Sequence, residues 1–153
     1  MDESYRTFFI TTVTWQRVPI FRQETRARLL IDVLLDYREQ RKYLLHEFVI
    51  MPDHVHLLLT PSSGISVERA VQFIKGGYSY RLRREEKILV WQRSFTNHRI
   101  RDADDYERHC EYIHLNPLRA GLVRDAGAYP FSSGGLRLDA MPQGLKPSFP
   151  RTA

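Results

Sequence analysis

Cysteine is nearly absent from this 153-residue chain: Cys110 stands alone, so no intramolecular disulfide can form and a reducing compartment suits it. Long apolar runs are missing too. The N-terminal stretch through Phe21 is broken by charge from Asp2 and Glu3 onward, which fits neither a secretion signal nor a membrane-spanning helix. A soluble, cytoplasmic, nucleoid-associated protein is the expectation. Internal repeats are also lacking, and the length suits one domain that buries about 68 to 70% of its unfolded surface.

What is present is basic charge, unevenly spread. The net charge is +5, which permits an anionic partner. Between residues 75 and 101 lie Lys75, Arg81, Arg83, Arg84, Lys87, Arg93, Arg99 and Arg101 against only Glu85 and Glu86, a local +6 that leaves the rest of the chain at −1. Such a segment reads equally as a DNA-backbone track or as a solvated helix face.

Hydropathy patterning predicts the elements. Residues 7–15 (TFFITTVTW) are β-branched and aromatic and predict a strand. Ala27, Leu30, Ile31, Leu34 and Leu35 recur at helical spacing within a helix expected over 23–42. Two strand-like runs, 44–51 and 54–60, flank Pro52-Asp53 and predict a hairpin. A second helix is expected over 66–86, with an irregularity at Gly76-Gly77, then a weak strand near 95–100. A third helix is expected over 102–116, ended by Pro117.

This order predicts an α+β fold, a ferredoxin-like antiparallel sheet with its helices packed on one face. Residues 1–133 would form the domain. Residues 134–153, punctuated by Gly134, Gly135, Pro142, Gly144, Pro147 and Pro150, would form an irregular, mobile tail.

His54 and His56 sit two apart on the predicted strand, so their rings project from the same face and can grip one metal ion. Val55, Leu57 and Leu59 would point the other way into the core, leaving the histidine face open. Two strand histidines are by themselves more often structural, and a competent metal site needs further ligands. Tyr112 and Asn116 share a face of the third helix, four residues apart. An amide oxygen can complete a hard-metal site, and a phenol can attack a phosphodiester held there. A free phenol ionises near pH 10, so a base must assist, and His109 and His114 are the nearby imidazoles.

The segments MPDHVHLLL (51–59) and YIHLNPLRAGLV (112–123) resemble the two signatures of single-tyrosine transposases of the HUH nuclease superfamily, in their REP-associated branch. VWQRSF (90–95), HRIRD (98–102) and YPFSS (129–133) extend the resemblance over nearly the whole chain apart from its tail. It implies that His54, His56 and Asn116 hold Mg2+ or Mn2+ and that Tyr112 is the nucleophile. It further implies an imperfect palindromic DNA hairpin as substrate, cut through a 5'-phosphotyrosine intermediate. Relatives in the insertion-sequence branch commonly carry Gln at the Asn116 position, and many relatives carry Asn in place of Asp53. REP-associated members tend to act as monomers, which is the expectation here.

Two other readings compete. A non-catalytic ferredoxin-like nucleic-acid-binding module would use the sheet and the basic segment without metal. A metal-dependent phosphodiesterase using water would need His54 and His56 but not Tyr112. For base stacking, Trp91, Phe95, Tyr78 and Tyr80 are candidates, each with core packing as its commoner role.

Overall fold

The structure, a computed structural model, describes residues 6–145. Strand β1 (Phe8–Val13) alternates buried and half-buried residues along its length, as a strand covered more on one face than the other must. Helix α1 (Glu24–Glu39) buries Ala27, Leu30, Val33 and Leu34 on one stripe. β2 (Tyr43–Met51) and β3 (His54–Pro61) form the expected hairpin around Pro52-Asp53. α2 (Val67–Leu82) begins where the Ser66 hydroxyl caps the Arg69 amide. β4 (Thr96–Arg99) and α3 (Ala103–Arg119) follow.

The four strands make one antiparallel sheet in the order β2-β3-β1-β4, so the β-α-β-β-α-β core is ferredoxin-like as expected. The helices do not share a face. α1 and α2 cover one side of the sheet over Ile10, Phe48, Ile50, Val55, Leu57 and Leu59. α3 packs against the opposite side, where Tyr106 and Ile113 meet Val49, Met51 and Leu58. The reason lies in β2 and β3: Val49, Met51 and Leu58 alternate with Phe48, Ile50, Leu57 and Leu59, and both sets are buried. A sheet apolar on both faces needs cover on both. Among the described residues no helix is long and apolar enough to cross a membrane.

Two local expectations are corrected. α3 does not stop before Pro117 but runs through it to Arg119. Pro117 forgoes its own amide hydrogen bond and crowds the carbonyl one turn back, but the chain beyond closes the helix, with the Ala120 amide bonding to the Asn116 carbonyl and the Leu122 amide to the Pro117 carbonyl. α2 also continues unbroken through Gly76 and Gly77. Gly77 serves packing: a Cβ there would lie 2.5 Å from the Tyr37 hydroxyl of α1, whereas a Cβ at Gly76 would meet nothing within 4 Å. Gly76→Ala should therefore stabilise the protein by about 0.5–1 kcal/mol through helix propensity. Gly77→Ala should fall short of that by about 1 kcal/mol or more, because Tyr37 must move. Urea denaturation of both variants checks this, and equal midpoints would refute the close approach.

After Ser133 the described chain carries no helix or strand, yet it is tied to β2. The Asp139 carboxylate accepts from Arg38 Nε and from the Leu45 amide, each at 2.9 Å. The Asp139 carbonyl oxygen lies 3.0 Å from His46 Nδ1. The last eight residues assigned to the tail, 146–153, lie outside the described residues.

Candidate active site

β3 presents His54 and His56 on the face that α3 covers. Their ring centroids lie 4.8 Å apart with planes crossed at 73°, so in-plane lone pairs can converge on one ion. Each Nδ1 is engaged: that of His54 lies 2.7 Å from Asp53 Oδ1, and that of His56 lies 2.8 Å from Thr11 Oγ1. The Nε2 atoms remain for a ligand. Val55, Leu57 and Leu59 point into the α1/α2 core as expected. The histidine face is not open throughout, since α3 and Phe9 leave His56 only 5% exposed.

Burial, and then the neighbouring His54, push the His56 imidazole down to about 3, which keeps it neutral, the form a metal requires. Burial alone would raise the Asp53 carboxyl, but hydrogen bonding and charge from His54, then from Arg17, hold it below its usual range.

α3 delivers Tyr112. Asp102 caps this helix by accepting from the Asp105 amide, and Asp104 and Asp105 add acidic charge in its first turn. The Tyr112 ring stands edge-on to His56 at 5.3 Å and to Phe9 at 5.8 Å, and the residue is 41% exposed. Asn116 lies one turn further along the same helix, half-buried, on the face that carries Tyr112.

Sequence reasoning missed Phe9 and Thr11. Phe9 stacks on His56 at 5.2 Å and touches His109 at 4.7 Å. Thr11 stands opposite His56 in the β1/β3 register. The available signal was strand alternation, which puts residues 9 and 11 on one face of β1.

The sequence profile of the family described as "Transposase IS200 like" matches residues 5–116. The chain belongs to the IS200-like transposases. A REP-associated tyrosine transposase of Escherichia coli K12 is 26% identical over 136 residues, covering 84% of this chain and 81% of the relative. The solved structure of a REP-associated tyrosine transposase bound to a REP hairpin superposes with a TM-score of 0.74 at 25% identity, covering 85% of this chain and 77% of that one. The fold and the relatives together make this IS200-like transposase a DNA-cleaving enzyme.

The eight basic residues from 75 to 101 do not form one row in the transposase. Lys75 turns inward, its ammonium donating to the Gln92 and Ser94 carbonyls at 2.8 and 3.1 Å, and burial lowers its pKa. Arg81 pairs with Asp36 of α1. Arg83, Arg84, Lys87, Arg93, Arg99 and Arg101 are exposed. Among the aromatic candidates, Tyr78 and Trp91 pack with Phe21 in the core and Phe95 packs against it half-buried. Tyr80 is exposed at 62%.

A second group also escaped the sequence reading. His98 on β4 and Asp105 and His109 on α3 place ligand atoms within 4.8 Å of one another, close enough to share an ion. Buried Asp105 accepts from the Arg101 amide at 2.9 Å and lies 2.7 Å from His98 Nε2. The His98 and His109 rings stack nearly parallel, 20° apart, which sends their lone pairs side by side rather than to a common point. The group ties β4 to the start of the tyrosine helix.

Proposed function

We propose that this transposase cuts and rejoins single-stranded DNA that folds into REP-type hairpins, with Tyr112 as nucleophile and His54, His56 and Asn116 as ligands of Mg2+ or Mn2+. The observation that carries the reading is the Tyr112 ring beside His56 at 5.3 Å within one chain. The reading takes the enzyme as a monomer with Tyr112 acting in cis. A cytoplasmic enzyme working on nucleoid DNA fits the substrate.

The donor set suits the ion: two imidazoles whose Nε2 atoms remain for a ligand, and the amide oxygen of Asn116 on the helix that packs over them. When bound, a divalent ion supplies positive charge to the scissile phosphate as the transition state gains negative charge. The chain does the rest. Phe9 and His56 pack against the Tyr112 ring and restrict its motion, which favours attack by its oxygen in line with the leaving group. The Oη–P bond forms as the P–O3' bond breaks; the phenol yields its proton to a base as it attacks, and the departing 3' oxygen takes up a proton in its place. A 5'-phosphotyrosine remains. Attack by a second 3'-hydroxyl on the same phosphorus reverses the exchange, returns the proton to Tyr112 and joins strands without ATP. Exposed Arg83, Arg84, Lys87, Arg93, Arg99 and Arg101 would hold the DNA backbone.

Hairpin-bearing single-stranded DNA incubated with the protein and Mn2+ should give a covalent protein–DNA band on a denaturing gel, lost when a chelator is added. Cut DNA without that band would favour hydrolysis by water. Bound but uncut DNA, across a set of hairpins, would favour a binding module.

A further inference from the structure

We infer that Asp53, braced by Arg17, is a positioning residue that locks His54 in the tautomer with Nδ1 protonated, leaving its Nε2 lone pair for the metal. The inference rests on the metal-ligand reading of His54 and His56 and adds a residue to it.

The chemistry of the partner decides the tautomer. An ionised carboxylate can only accept hydrogen bonds. At 2.7 Å from Asp53 Oδ1, His54 Nδ1 must therefore carry the proton and donate it. In the neutral ring Nε2 then holds the only lone pair. The bond that His56 makes is different in kind, because the Thr11 hydroxyl at 2.8 Å can donate or accept. His54 is the ligand whose orientation a single residue dictates. An Asn at position 53 could present either its oxygen or its amide hydrogens to Nδ1 and so would not dictate it.

Asp53 is itself held. It sits in the two-residue turn between β2 and β3, where its carbonyl accepts from the Thr14 amide at 2.9 Å. Its second carboxylate oxygen lies 3.3 Å from Arg17 Nη1. Arg17 reaches it from a short 3-10 turn in which Gln16 and Arg17 both adopt positive φ, at 52° and 54°. Two consecutive left-handed residues with a Cβ are strained. Here the Thr14 hydroxyl holds that turn closed through the Val18 carbonyl at 2.8 Å. The turn and the hairpin are thus clasped by the same threonine, and the carboxylate between them is aimed at one imidazole nitrogen.

The test uses the full chain with Mn2+. In the wild type, long-range 15N–1H correlation of the His54 ring should show the Nδ1-H form. Asp53→Asn should mix the tautomers, weaken Mn2+ binding by about tenfold in calorimetry, and raise the Mn2+ concentration giving half-maximal adduct about as much. The rate at saturating Mn2+ should recover, which a merely structural defect would not allow. An unchanged tautomer with Mn2+ affinity within twofold of wild type overturns the inference. His54→Ala separates the layers. If it leaves Mn2+ binding intact, the ligand reading itself fails; if it abolishes binding while Asp53→Asn is silent, only the positioning role falls.

Discussion

Tyr112→Phe should abolish the covalent protein–DNA product and lower strand cleavage by about 10^4-fold or more, as loss of a nucleophile does elsewhere. The substitution removes one oxygen and leaves the ring. Its edge contacts with His56 at 5.3 Å and Phe9 at 5.8 Å persist, and because the residue is 41% exposed no buried polar group is orphaned. Fold stability and hairpin affinity should therefore stay near wild type, separating chemistry from binding in one variant. A labelled hairpin run on native and denaturing gels reads both. Cleavage that survives in Tyr112→Phe at wild-type rate would mean that water, or another side chain, attacks the phosphorus.

The second large effect is expected at the histidines. His54→Ala and His56→Ala should each reduce cleavage at fixed Mn2+ by about 10^3-fold, equivalent to about 4 kcal/mol of lost transition-state stabilisation, and should weaken Mn2+ binding measured calorimetrically. Mn2+ affinity and cleavage at wild-type level in both variants would mean that the metal is held elsewhere.

His56 adds a signature in acid. Its folded pKa of about 3 lies below the value near 6.5 of an unperturbed imidazole, so between those values the unfolded chain holds a proton that the folded chain does not. Stability is then greatest above about pH 6.5 and falls as pH drops toward 3. His56→Gln should flatten part of that slope, read as urea midpoints from pH 7 to pH 4 with chelator present. An unchanged slope would show that His56 carries no depressed pKa in the fold.

How far the sequence revealed this molecule depended on the range of the interaction. Elements with their own periodicity, such as α1 with Ala27, Leu30 and Leu34 or the hairpin around Pro52-Asp53, were legible because local alternation and turn chemistry specify them. The placement of α3 was not. Val49, Met51 and Leu58 look like ordinary strand hydrophobics, and only the register of β2 with β3 shows that they face away from α1 and α2. Lys75 was misleading for a similar reason: in sequence it belongs to a basic run, while in space it closes a loop through the Gln92 and Ser94 carbonyls. The pairing of His56 with Thr11 spans 45 positions, and nothing local marks it. The two histidines, Tyr112 and Asn116 were readable as candidates from spacing and resemblance. Phe9, which touches both His56 and Tyr112, was not.

Among the described residues the sheet carries two apolar clusters of unequal size, and α3 belongs to the lesser. α1 and α2 share the extensive cluster, while α3 is fastened by a handful of side chains around Tyr106 and Ile113 and by the knot at Asp105. Regions with fewer buried apolar contacts open at lower free energy than the molecule as a whole. On warming, the helix bearing Tyr112 should part from the histidine face before the sheet and its other two helices melt, so amide exchange along α3 should outpace that along α1.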